Sequence, residues 1–477
     1  MLRALAFVTC CSSLLLAQPA VGIATESQDV AGAIRLFDAW MEGQMMHRAL
    51  PGVAVGIVHD QQLVWMKGYG LADVAQKKAM TPATRFRMAS HSKLFTATAI
   101  MQLREAGKLR LDDPITKYLP WFSIQPADPG DTAPITIEEL LTHTSGLPRE
   151  AGPHWVDFNF PDAAGVKKYL STHRAPYAPE VRWKYSNLAL TLAGMIVEAA
   201  SGERFADYVQ KQIFAPLGMK HSSIDAPDPE LATGYGYRHP DGSRRTFPFI
   251  DSKAMAPATG VTSNVEDMAR FVSLQFRKGA TDFAHGQILN TGSLREMHRI
   301  RRLENDWIRG NAIGFAVSRI KDKVWVGHGG SYPGYKTQTF LQLDSKVGVI
   351  VLTNADDAGP AAIAQRAMDT IAAAIERAAA PPKKSIAWDP AWSRFAGLYE
   401  SPMGLSQVVE LNQRLVLIDP TADALSADQR LEPVGNGVFR LEAPSGGTAV
   451  GEPVRFEESG GKVLRMYVGD SYRDRKK

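Results

Sequence analysis

The stretch Arg87-Met88-Ala89-Ser90-His91-Ser92-Lys93-Leu94-Phe95-Thr96 determines how the rest of the chain is interpreted. It follows a segment of strand and turn character, Gly70 to Thr84, and it opens an apolar helical run that stops at Gly107. Residues three apart share a helix face, so the Ser90 hydroxyl and the Lys93 amine are predicted to lie side by side. The helix N-terminus adds partial positive charge, which favours an anion at the serine. This pattern is typical of an acyl-transfer nucleophile that is activated by a lysine.

The Ser-x-x-Lys spacing occurs twice more in the chain, so the spacing alone is weak support. Ser318-Arg319-Ile320-Lys321 lies in an alternating, strand-like stretch, where residues three apart point to opposite faces. Ser459-Gly460-Gly461-Lys462 contains two glycines of a predicted turn. Neither opens a helix, and we interpret both as surface features. Support for Ser90 must come from other parts of the chain.

Composition excludes several classes of protein. The chain has 477 residues, of which 45% are hydrophobic and 22% are charged, so it is predicted to be globular and large enough for two domains. The net charge is only +4, and no Lys/Arg run is interleaved with aromatic residues, so no nucleic-acid partner is predicted. Beyond the N-terminal segment, no stretch approaches the ~20 uninterrupted apolar residues of a membrane span.

Residues 1–24 have the pattern of a secretory signal peptide. Arg3 supplies the positive start, Ala4 to Ala17 form a short apolar stretch, and small residues for cleavage occur at Ala20-Val21-Gly22 or Gly22-Ile23-Ala24. We therefore predict a periplasmic or secreted protein. A buried N-terminal helix is the alternative interpretation of the same residues.

The two cysteines, Cys10 and Cys11, both lie inside that segment. A processed protein would contain no cysteine, which excludes disulfides, thiol catalysis and cysteine metal sites together. We predict neither a cofactor nor a metal.

The pattern of apolar residues predicts an α+β fold. Alternating stretches predict strands at Val53–Val58, Leu63–Tyr69, Ala312–Ile320, Lys323–Val326, Thr337–Leu343 and Val347–Thr353. Helical spacing predicts helices at Val30–His47, Ile135–Leu141, Leu188–Ala200, Phe205–Phe214 and Pro360–Ala380, and a capping box, Ser263-Asn264-Val265-Glu266, that starts a helix to Lys278. The expected architecture is an α/β sandwich: one antiparallel sheet built from both ends of the domain, flanked by helices, with the helical middle as an insertion.

A second domain is predicted at the C-terminus. The α+β pattern of the first domain occupies residues 25–380. Residues 381–394, which begin Pro381-Pro382-Lys383-Lys384, resemble a linker. From residue 395 to 477 the chain consists of short alternating strands, such as Gln407–Leu411, Arg414–Ile418, Val438–Leu441 and Val463–Val468. We predict a small all-β barrel there.

A second chemical motif, Trp183-Lys184-Tyr185-Ser186-Asn187, immediately precedes the Leu188 helix. An ammonium group nearby would lower the pKa of Tyr185, which could then take the serine proton and later protonate the leaving group. The Asn187 amide could hold the lysine or a substrate carbonyl. A buried tyrosine followed by a helix-capping asparagine is the structural alternative.

A third motif, Gly327-His328-Gly329-Gly330-Ser331, ends a strand-like segment. Its glycines would let a substrate backbone lie against the strand, with a free N–H facing an oxyanion. The alternative is a glycine-rich turn.

These three motifs, in this order, resemble the serine β-lactamase and penicillin-binding-protein family. The resemblance is closest to the branch with class C β-lactamases, family VIII esterases and D-aminopeptidases, and it covers about residues 30 to 378. The matching pairs are Ser90/Lys93, Tyr185/Asn187 and His328/Gly330, with further matches at Phe86–Ser90, Leu141–Leu147 and Pro216–Met219. The family fold agrees with the α/β sandwich above. The C-terminal unit resembles the lipocalin-like barrels appended to some of these hydrolases.

The resemblance implies a role for each site residue. Ser90 would be the nucleophile, and Lys93 with Tyr185 the acid/base pair. Asn187 would orient the lysine and the substrate. The backbone N–H groups of Ser90 and Ser331 would form the oxyanion hole. Glu150 falls where class C enzymes have a glutamine that touches the substrate amide.

The third motif departs from that of the β-lactamases, which usually have Lys-Thr-Gly where this chain has His328-Gly329-Gly330. A neutral imidazole gives up most of a charge-assisted contact to a substrate carboxylate, worth ~1.5–3 kcal/mol. We therefore rank an exported carboxylesterase or amide/peptide hydrolase, acting through an acyl-enzyme on a small ester, amide or peptide, above the alternatives. These are a β-lactamase, a D-aminopeptidase or D,D-carboxypeptidase and, as a non-enzyme, a penicillin-binding sensor. The sequence indicates no oligomeric state.

Overall fold

The computed structural model describes residues 27–130, 133–277, 286–320, 323–379, 386–421, 429–443 and 446–476. The chain divides into two compact units after Ala379. The predicted signal peptide, residues 1–24, and the Pro381-Pro382-Lys383-Lys384 part of the predicted linker lie outside the described residues.

The first unit is built on one antiparallel sheet. Its described strands are β1 (Gly52–His59), β2 (Gln62–Asp73), β3 (Lys78–Ala79), β4 (Phe86–Arg87), β5 (Ser223–Ile224), β6 (Gly234–Arg238), β7 (Arg244–Phe247), β8 (Val261–Ser263), β9 (Arg302–Leu303), β10 (Arg309–Asn311), β11 (Ala316–Ile320), β12 (Lys323–Tyr332), β13 (Tyr335–Gln342) and β14 (Val347–Thr353). Among the described residues, nine of them form the main sheet in the order β3-β2-β1-β14-β13-β12-β11-β10-β9. The pairing of β1 with β14 joins the two ends of the domain, which confirms the predicted α+β architecture.

Helices flank this sheet and fill the middle of the chain. The described α-helices are α1 (Gln28–Arg48), α2 (Ser92–Glu105), α3 (Ile137–Thr142), α4 (His154–Asp157), α5 (Ala163–Thr172), α6 (Asn187–Ser201), α7 (Phe205–Val209), α8 (Ala215–Leu217), α9 (Ala256–Thr259), α10 (Val265–Gln275), α11 (Thr291–His298), α12 (Pro360–Ala367) and α13 (Ala373–Ala379). π-Helical turns, Gln210–Phe214 and Met368–Ala372, continue α7 and α12. No helix in the described ranges is long and apolar enough to cross a membrane.

The two central strands are apolar on both sides because each side meets a different core. Val53, Val55 and Ile57 of β1 pack in one core with Phe37 of α1. The alternate residues Ala54 and Val58 pack in the other core, which contains Phe95 of α2. Side chains alternate between the faces of a strand, so one sheet separates the two layers of helices.

Several predicted boundaries were wrong, and the strand predicted from Ala312 begins at Ala316. The predicted capping box at Ser263 is replaced by a simple cap: the Asn264 side chain accepts from the Asp267 N–H, and α10 ends at Gln275. The strand predicted to end at Val326 continues as β12 to Tyr332 and pairs with β13 along its whole second half. The glycines at 327, 329 and 330 favoured a turn in the sequence, but in the sheet they permit close approach of the neighbouring strand.

The second unit is a closed barrel, as predicted. In the described part of the unit its eight strands are β15 (Gly397–Ser401), β16 (Gly404–Glu410), β17 (Leu415–Ile418), β18 (Arg430–Gly435), β19 (Val438–Glu442), β20 (Pro453–Ser459), β21 (Lys462–Val468) and β22 (Ser471–Arg475). Its interior contains buried residues from alternate strand positions, among them Tyr399, Phe439 and Met466. A 3₁₀ turn, Pro390–Phe395, precedes the first strand where the linker was predicted.

We expect Gly330→Ala to destabilise the first unit by about 1–3 kcal/mol, the range for overpacking a filled core. A Cβ at Gly330 would lie 2.1 Å from Thr337 Oγ1 and 2.5 Å from the Met88 carbonyl oxygen. Urea unfolding measures the loss. Gly43→Ala is the matched control: in α1, with no atom within 4 Å of the new methyl group, it should stabilise by about 0.5–1 kcal/mol. Equal effects of the two substitutions would contradict the packing of β12.

Candidate active site

Ser90 lies in a tight turn that precedes α2. The 3₁₀ turn Ala89–His91 leads directly into the helix, and Ala89 has φ 52°, a left-handed conformation that is uncommon for a residue with a Cβ. The turn is held by Ser92, whose hydroxyl donates to the Ala89 carbonyl at 2.7 Å and accepts from the Val261 N–H at 2.9 Å. The sequence predicted a serine at the start of a helix, and the structure places Ser90 two residues before the first residue of α2, in the 3₁₀ turn.

The three predicted catalytic side chains meet at Ser90. Lys93, one helical turn later, is 0% exposed, and its Nζ lies 3.1 Å from Ser90 Oγ and 2.9 Å from the Ala258 carbonyl oxygen. The Tyr185 hydroxyl donates to the same Ser90 Oγ at 2.7 Å. Lys93 Nζ also lies 4.9 Å from the centre of the Tyr185 ring. The serine proton therefore has two groups within direct reach.

Burial shifts the pKa values of Lys93 and Tyr185 in opposite directions. It lowers the pKa of Lys93 to about 7, while the Glu150 carboxylate raises that pKa and the Arg149 guanidinium lowers it. The pKa of Tyr185 moves in the opposite direction: burial of the phenol raises it, and the hydrogen bond to Ser90 and the charge of Arg149 only partly offset this effect. The prediction of a lowered tyrosine pKa was wrong, because burial of the phenol outweighs the stabilisation of a phenolate by nearby donors and positive charge. Lys93 is the group that titrates near neutral pH.

Strand β12 brings the third motif against the Ser90 turn. Gly330 makes this possible, since a Cβ there would meet both the Met88 carbonyl and the Ala89 side chain. Strand β11 pairs with β12 only as far as Gly327. From His328 to Tyr332, no described strand covers that edge, while the other edge pairs with β13. The motif thus lies in a half-open strand, meaning a strand that is paired along only one of its two edges. The alternative of a glycine-rich turn was wrong.

His328 is neutral at physiological pH. It is 8% exposed, and its Nδ1 donates to the Gly329 carbonyl at 2.6 Å. Burial, together with the charge of the nearby Lys93, lowers its pKa to about 4. This agrees with the sequence-based expectation of a neutral imidazole at this position.

Two further histidines surround Lys93, and the sequence analysis assigned no role to them. Burial lowers the pKa of His91 to about 3 and brings that of His143 well below its usual value, with Lys93 contributing to both shifts. The centre of the His143 ring lies 4.4 Å from that of Tyr185, with the two planes tilted by 35°, and its Nδ1 accepts from the Ser186 N–H. Both residues stand in quoted motifs, Ser-x-x-Lys and Leu141–Leu147, so their positions were available in the sequence although their contacts were not.

Asn187 is the first residue of α6, and it is not the helix cap. Ser186 caps the helix by accepting from the Ala189 N–H, which leaves the Asn187 side chain for other contacts. Its Nδ2 donates to Glu150 Oε1 at 2.6 Å. The other carboxylate oxygen of Glu150 lies 3.2 Å from His154 Nε2. In the structure, Glu150 thus contacts Asn187 and His154, and its expected contact with a substrate stays a prediction.

These groups border one large cavity of about 890 Å³. The predicted site residues that line it are Ser90, Tyr185, Asn187, His328, Gly330 and Ser331; Lys93 lies beneath them, and Glu150 is not among the lining residues. Aromatic side chains form another part of the wall, among them Trp155, Phe158, Trp183 and Phe247. In the described part of the chain, no three His, Cys, Asp or Glu side chains are arranged to hold a metal ion.

The other Ser-x-x-Lys sequences lie outside this cavity. Ser318 is on strand β11, and Lys321 is outside the described residues. Ser459 is the last residue of β20, and Lys462 is the first residue of β21. The turn between them consists of Gly460 and Gly461, both with positive φ. Their interpretation as strand and turn residues is confirmed.

A serine–lysine–tyrosine cluster between an antiparallel sheet and a helical region defines the class of β-lactamase-fold serine hydrolases. The family model named Beta-lactamase matches residues 37–374. The chain belongs to this family.

Known relatives agree with this assignment. The chain is 25% identical over 328 residues to protein flp of Staphylococcus aureus strain MW2, covering 66% of this chain and 62% of that protein. It is 28% identical over 382 residues to penicillin-binding protein 4* of Bacillus subtilis strain 168, covering 74% and 81% of the two chains. The octameric penicillin-binding protein homologue from Pyrococcus abyssi has a similar fold, with a TM-score of 0.63 at 24% identity over 92% of this chain and 99% of that one.

We expect kcat/KM for a neutral ester to rise with pH through a midpoint near 7, because Lys93 must lose its proton before it can accept one from Ser90. Hydrolysis rates between pH 5 and 9 measure this acid limb. His328→Asn is the control: the pKa of His328 is about 4, so the midpoint should not depend on this imidazole. A midpoint near 10, the value for an exposed lysine, would contradict the role of burial.

Proposed function

We propose that this protein is a serine hydrolase that forms an acyl-enzyme on Ser90 and acts as a carboxylesterase or amide/peptide hydrolase. The supporting observation is the placement of Ser90 Oγ 3.1 Å from a buried lysine amine and 2.7 Å from a tyrosine hydroxyl. The lysine pKa of about 7 makes it a competent base at physiological pH.

The proposed reaction begins when neutral Lys93 accepts the Ser90 proton and Oγ attacks the substrate carbonyl. The oxyanion would be held by the N–H groups of Ser90 and Ser331, the latter on the half-open part of β12. Tyr185 stays protonated because its pKa is raised, so it can donate a proton to the leaving group and regain one from the Lys93 ammonium. Water then attacks the acyl-enzyme, with the same groups removing its proton.

The proposed substrates are small esters and amides without a free carboxylate. In this chain His328 supplies no positive charge at neutral pH, so the third motif gives no charge-assisted contact to an anionic substrate. The name of one relative, penicillin-binding protein 4*, makes a β-lactam the natural comparison substrate.

We also propose that the protein is exported to the periplasm or secreted. The support is the signal-like pattern of residues 1–24. Fractionation of producing cells, followed by N-terminal sequencing, tests this: an intact N-terminus in the cytoplasmic fraction would contradict it.

We expect Ser90→Ala to abolish hydrolysis without unfolding the protein, because it removes the nucleophile and only one small, partly exposed hydroxyl. Lys93→Ala and Tyr185→Phe should each lower turnover by about 10²–10⁴-fold, the range for general acid/base assistance. Hydrolysis of p-nitrophenyl esters and labelling by a fluorophosphonate measure these losses.

Ser318→Ala and Ser459→Ala are the matched controls, since both serines have the same local spacing and neither is among the residues that line the cavity. They should leave activity unchanged. Wild-type rates in Ser90→Ala would disprove the assignment of the nucleophile. One stoichiometric burst of product without turnover in the wild type would indicate a sensor instead of an enzyme.

We expect the wild type to hydrolyse p-nitrophenyl butyrate or a D-alanyl amide with higher kcat/KM than nitrocefin. His328→Lys should shift this ratio towards nitrocefin, mainly through KM, because an added cation would bind the carboxylate in both ground and transition states. It should not create an efficient β-lactamase, since Gly329 still lacks a hydroxyl. Steady-state kinetics of both variants on the three substrates measure the ratio, and a wild type that prefers nitrocefin would overturn this ranking.

A further inference from the structure

Two different sheets carry the two proposed oxyanion N–H groups. Strand β4 leads into the Ser90 turn, and among the described strands it belongs to a small sheet in the order β4-β8-β5. Ser331 lies on β12 of the main sheet. A tetrahedral oxyanion is stabilised by donors that lie about 2.7–3.1 Å from it, so the spacing between the two sheets must be closely held at this point.

The last residue of β12, Tyr332, reaches across to the small sheet. Its hydroxyl lies 3.1 Å from Ser252 Oγ, which accepts from Arg87 Nη2 at 3.1 Å. The Arg87 guanidinium also lies 4.8 Å from the centre of the Tyr332 ring. Arg87 ends β4, just before the Ser90 turn, and it is 1% exposed. Its side chain thus joins the strand before the proposed nucleophile to the end of β12.

Asp225 holds the Arg87 side chain in this position. It accepts from Arg87 Nη2 at 2.5 Å, and its second carboxylate oxygen accepts from the Ser252 N–H at 3.1 Å. The side chains of Arg87 and Asp225 are 2% and 11% exposed, so water competes little for this ion pair. The two hydrogens of Nη2 are taken by Asp225 and Ser252. Tyr332 is therefore held through the Ser252 hydroxyl and through the contact of its ring with the guanidinium.

Both chain neighbours of Ser331 are anchored on the Ser90 side of the sheet. Gly330 lies so close to the Ser90 turn that a Cβ there would be 3.2 Å from the Ala89 Cβ. Tyr332, on the other side, is buried in the contacts described above. No described strand pairs with the outer edge of β12 at this point. These contacts therefore fix the position of Ser331 where a neighbouring strand would otherwise do so.

We propose that Arg87 is a positioning residue that holds Tyr332, and with it the Ser331 N–H, at the proposed oxyanion hole. This inference rests on the proposed function. Arg87 and Ser252 are not among the residues that line the cavity, so they act without touching the substrate. The pKa of Lys93 is shifted mainly by its burial. Loss of the Arg87 contacts should thus weaken stabilisation of the transition state and leave the proposed base unchanged.

Ser252→Ala tests this link from outside the cavity. It removes the hydroxyl between Arg87 and Tyr332, while the ion pair of Arg87 with Asp225 stays. We expect kcat for p-nitrophenyl butyrate to fall by about 10–100-fold, less than the 10²–10³-fold cost of removing a whole oxyanion donor. KM should stay within about twofold of the wild-type value, because the substrate ground state carries no oxyanion. The midpoint of the acid limb should stay near pH 7.

Tyr332→Phe is a second variant, which keeps the ring and its contact with Arg87 but loses the hydroxyl. It should lower kcat in the same way. Tyr335→Phe is the matched control. Tyr335 pairs with Tyr332 across the same hairpin, its hydroxyl donates to the Ala232 carbonyl, and it is not among the cavity-lining residues. This control should keep the wild-type kcat and KM.

Inhibition by phenylboronic acid separates positioning from a general loss of structure. A boronic acid forms a tetrahedral adduct with a serine hydroxyl and thereby mimics the transition state. Its inhibition constant should rise in Ser252→Ala by about the same factor as kcat/KM falls, and it should not change in Tyr335→Phe. Thermal unfolding identifies the folded variants. Either Ser252→Ala or Tyr332→Phe, if folded and still at the wild-type kcat, overturns the proposal. A fall in kcat without weaker boronic acid binding overturns it as well.

Failure of the proposed function is a separate result. A wild type that does not hydrolyse the ester and is not labelled at Ser90 by a fluorophosphonate contradicts the serine hydrolase itself. Hydrolysis and labelling of the wild type, with no loss of kcat in the folded variants, contradict only the role of Arg87.

Discussion

The removal of Lys93 from water is the constraint on which the rest of this site depends. A buried ammonium is costly unless it is paired, and among the described residues no carboxylate contacts Lys93: the hydrogen-bond partners of its Nζ are the Ser90 hydroxyl and the Ala258 carbonyl. The three histidines around it are kept neutral by the same burial. The amine avoids this cost by losing its proton near pH 7, and the proposed base then lies within hydrogen-bond reach of the proposed nucleophile.

The fold was largely predictable because the apolar pattern of the central strands identifies them in the sequence. Alternate residues of β1 face two different cores, and such a strand is apolar throughout. The errors arose where the sequence is locally ambiguous. Ser263 and Asn264 are both good helix caps, and only the backbone conformation of Asn264 decides between them. In the sequence, the glycines of β12 favour a turn. In the structure, they let the partner strand approach to a distance that a Cβ would not permit.

The proximity of Ser90, Lys93 and Tyr185 could be predicted from the motifs, but the pKa values of these side chains could not. The direction in which the Tyr185 pKa shifts depends on how completely the phenol is buried, and no local sequence pattern reports that. The contact between Glu150 and Asn187 joins residues 37 positions apart, and no local pattern predicts it. Electrostatic roles follow from three-dimensional neighbours, so they were the part of the site that the sequence left undecided.

The half-open edge of β12 has unpaired backbone groups that are available for unwanted strand pairing as well as for ligand binding. Unpaired backbone groups at the edge of a sheet can bind any extended polypeptide, and proteins usually protect such edges with charge, bulges or covering segments. Here the exposed length is only His328 to Tyr332, and the strand beside it, β11, covers the rest. The short length of this edge limits the number of hydrogen bonds that it can offer to a second chain, and the proposed acyl donor would use the same backbone groups. A change that shortened β11 would leave more of the β12 edge unpaired. The protein would then self-associate more readily through that edge.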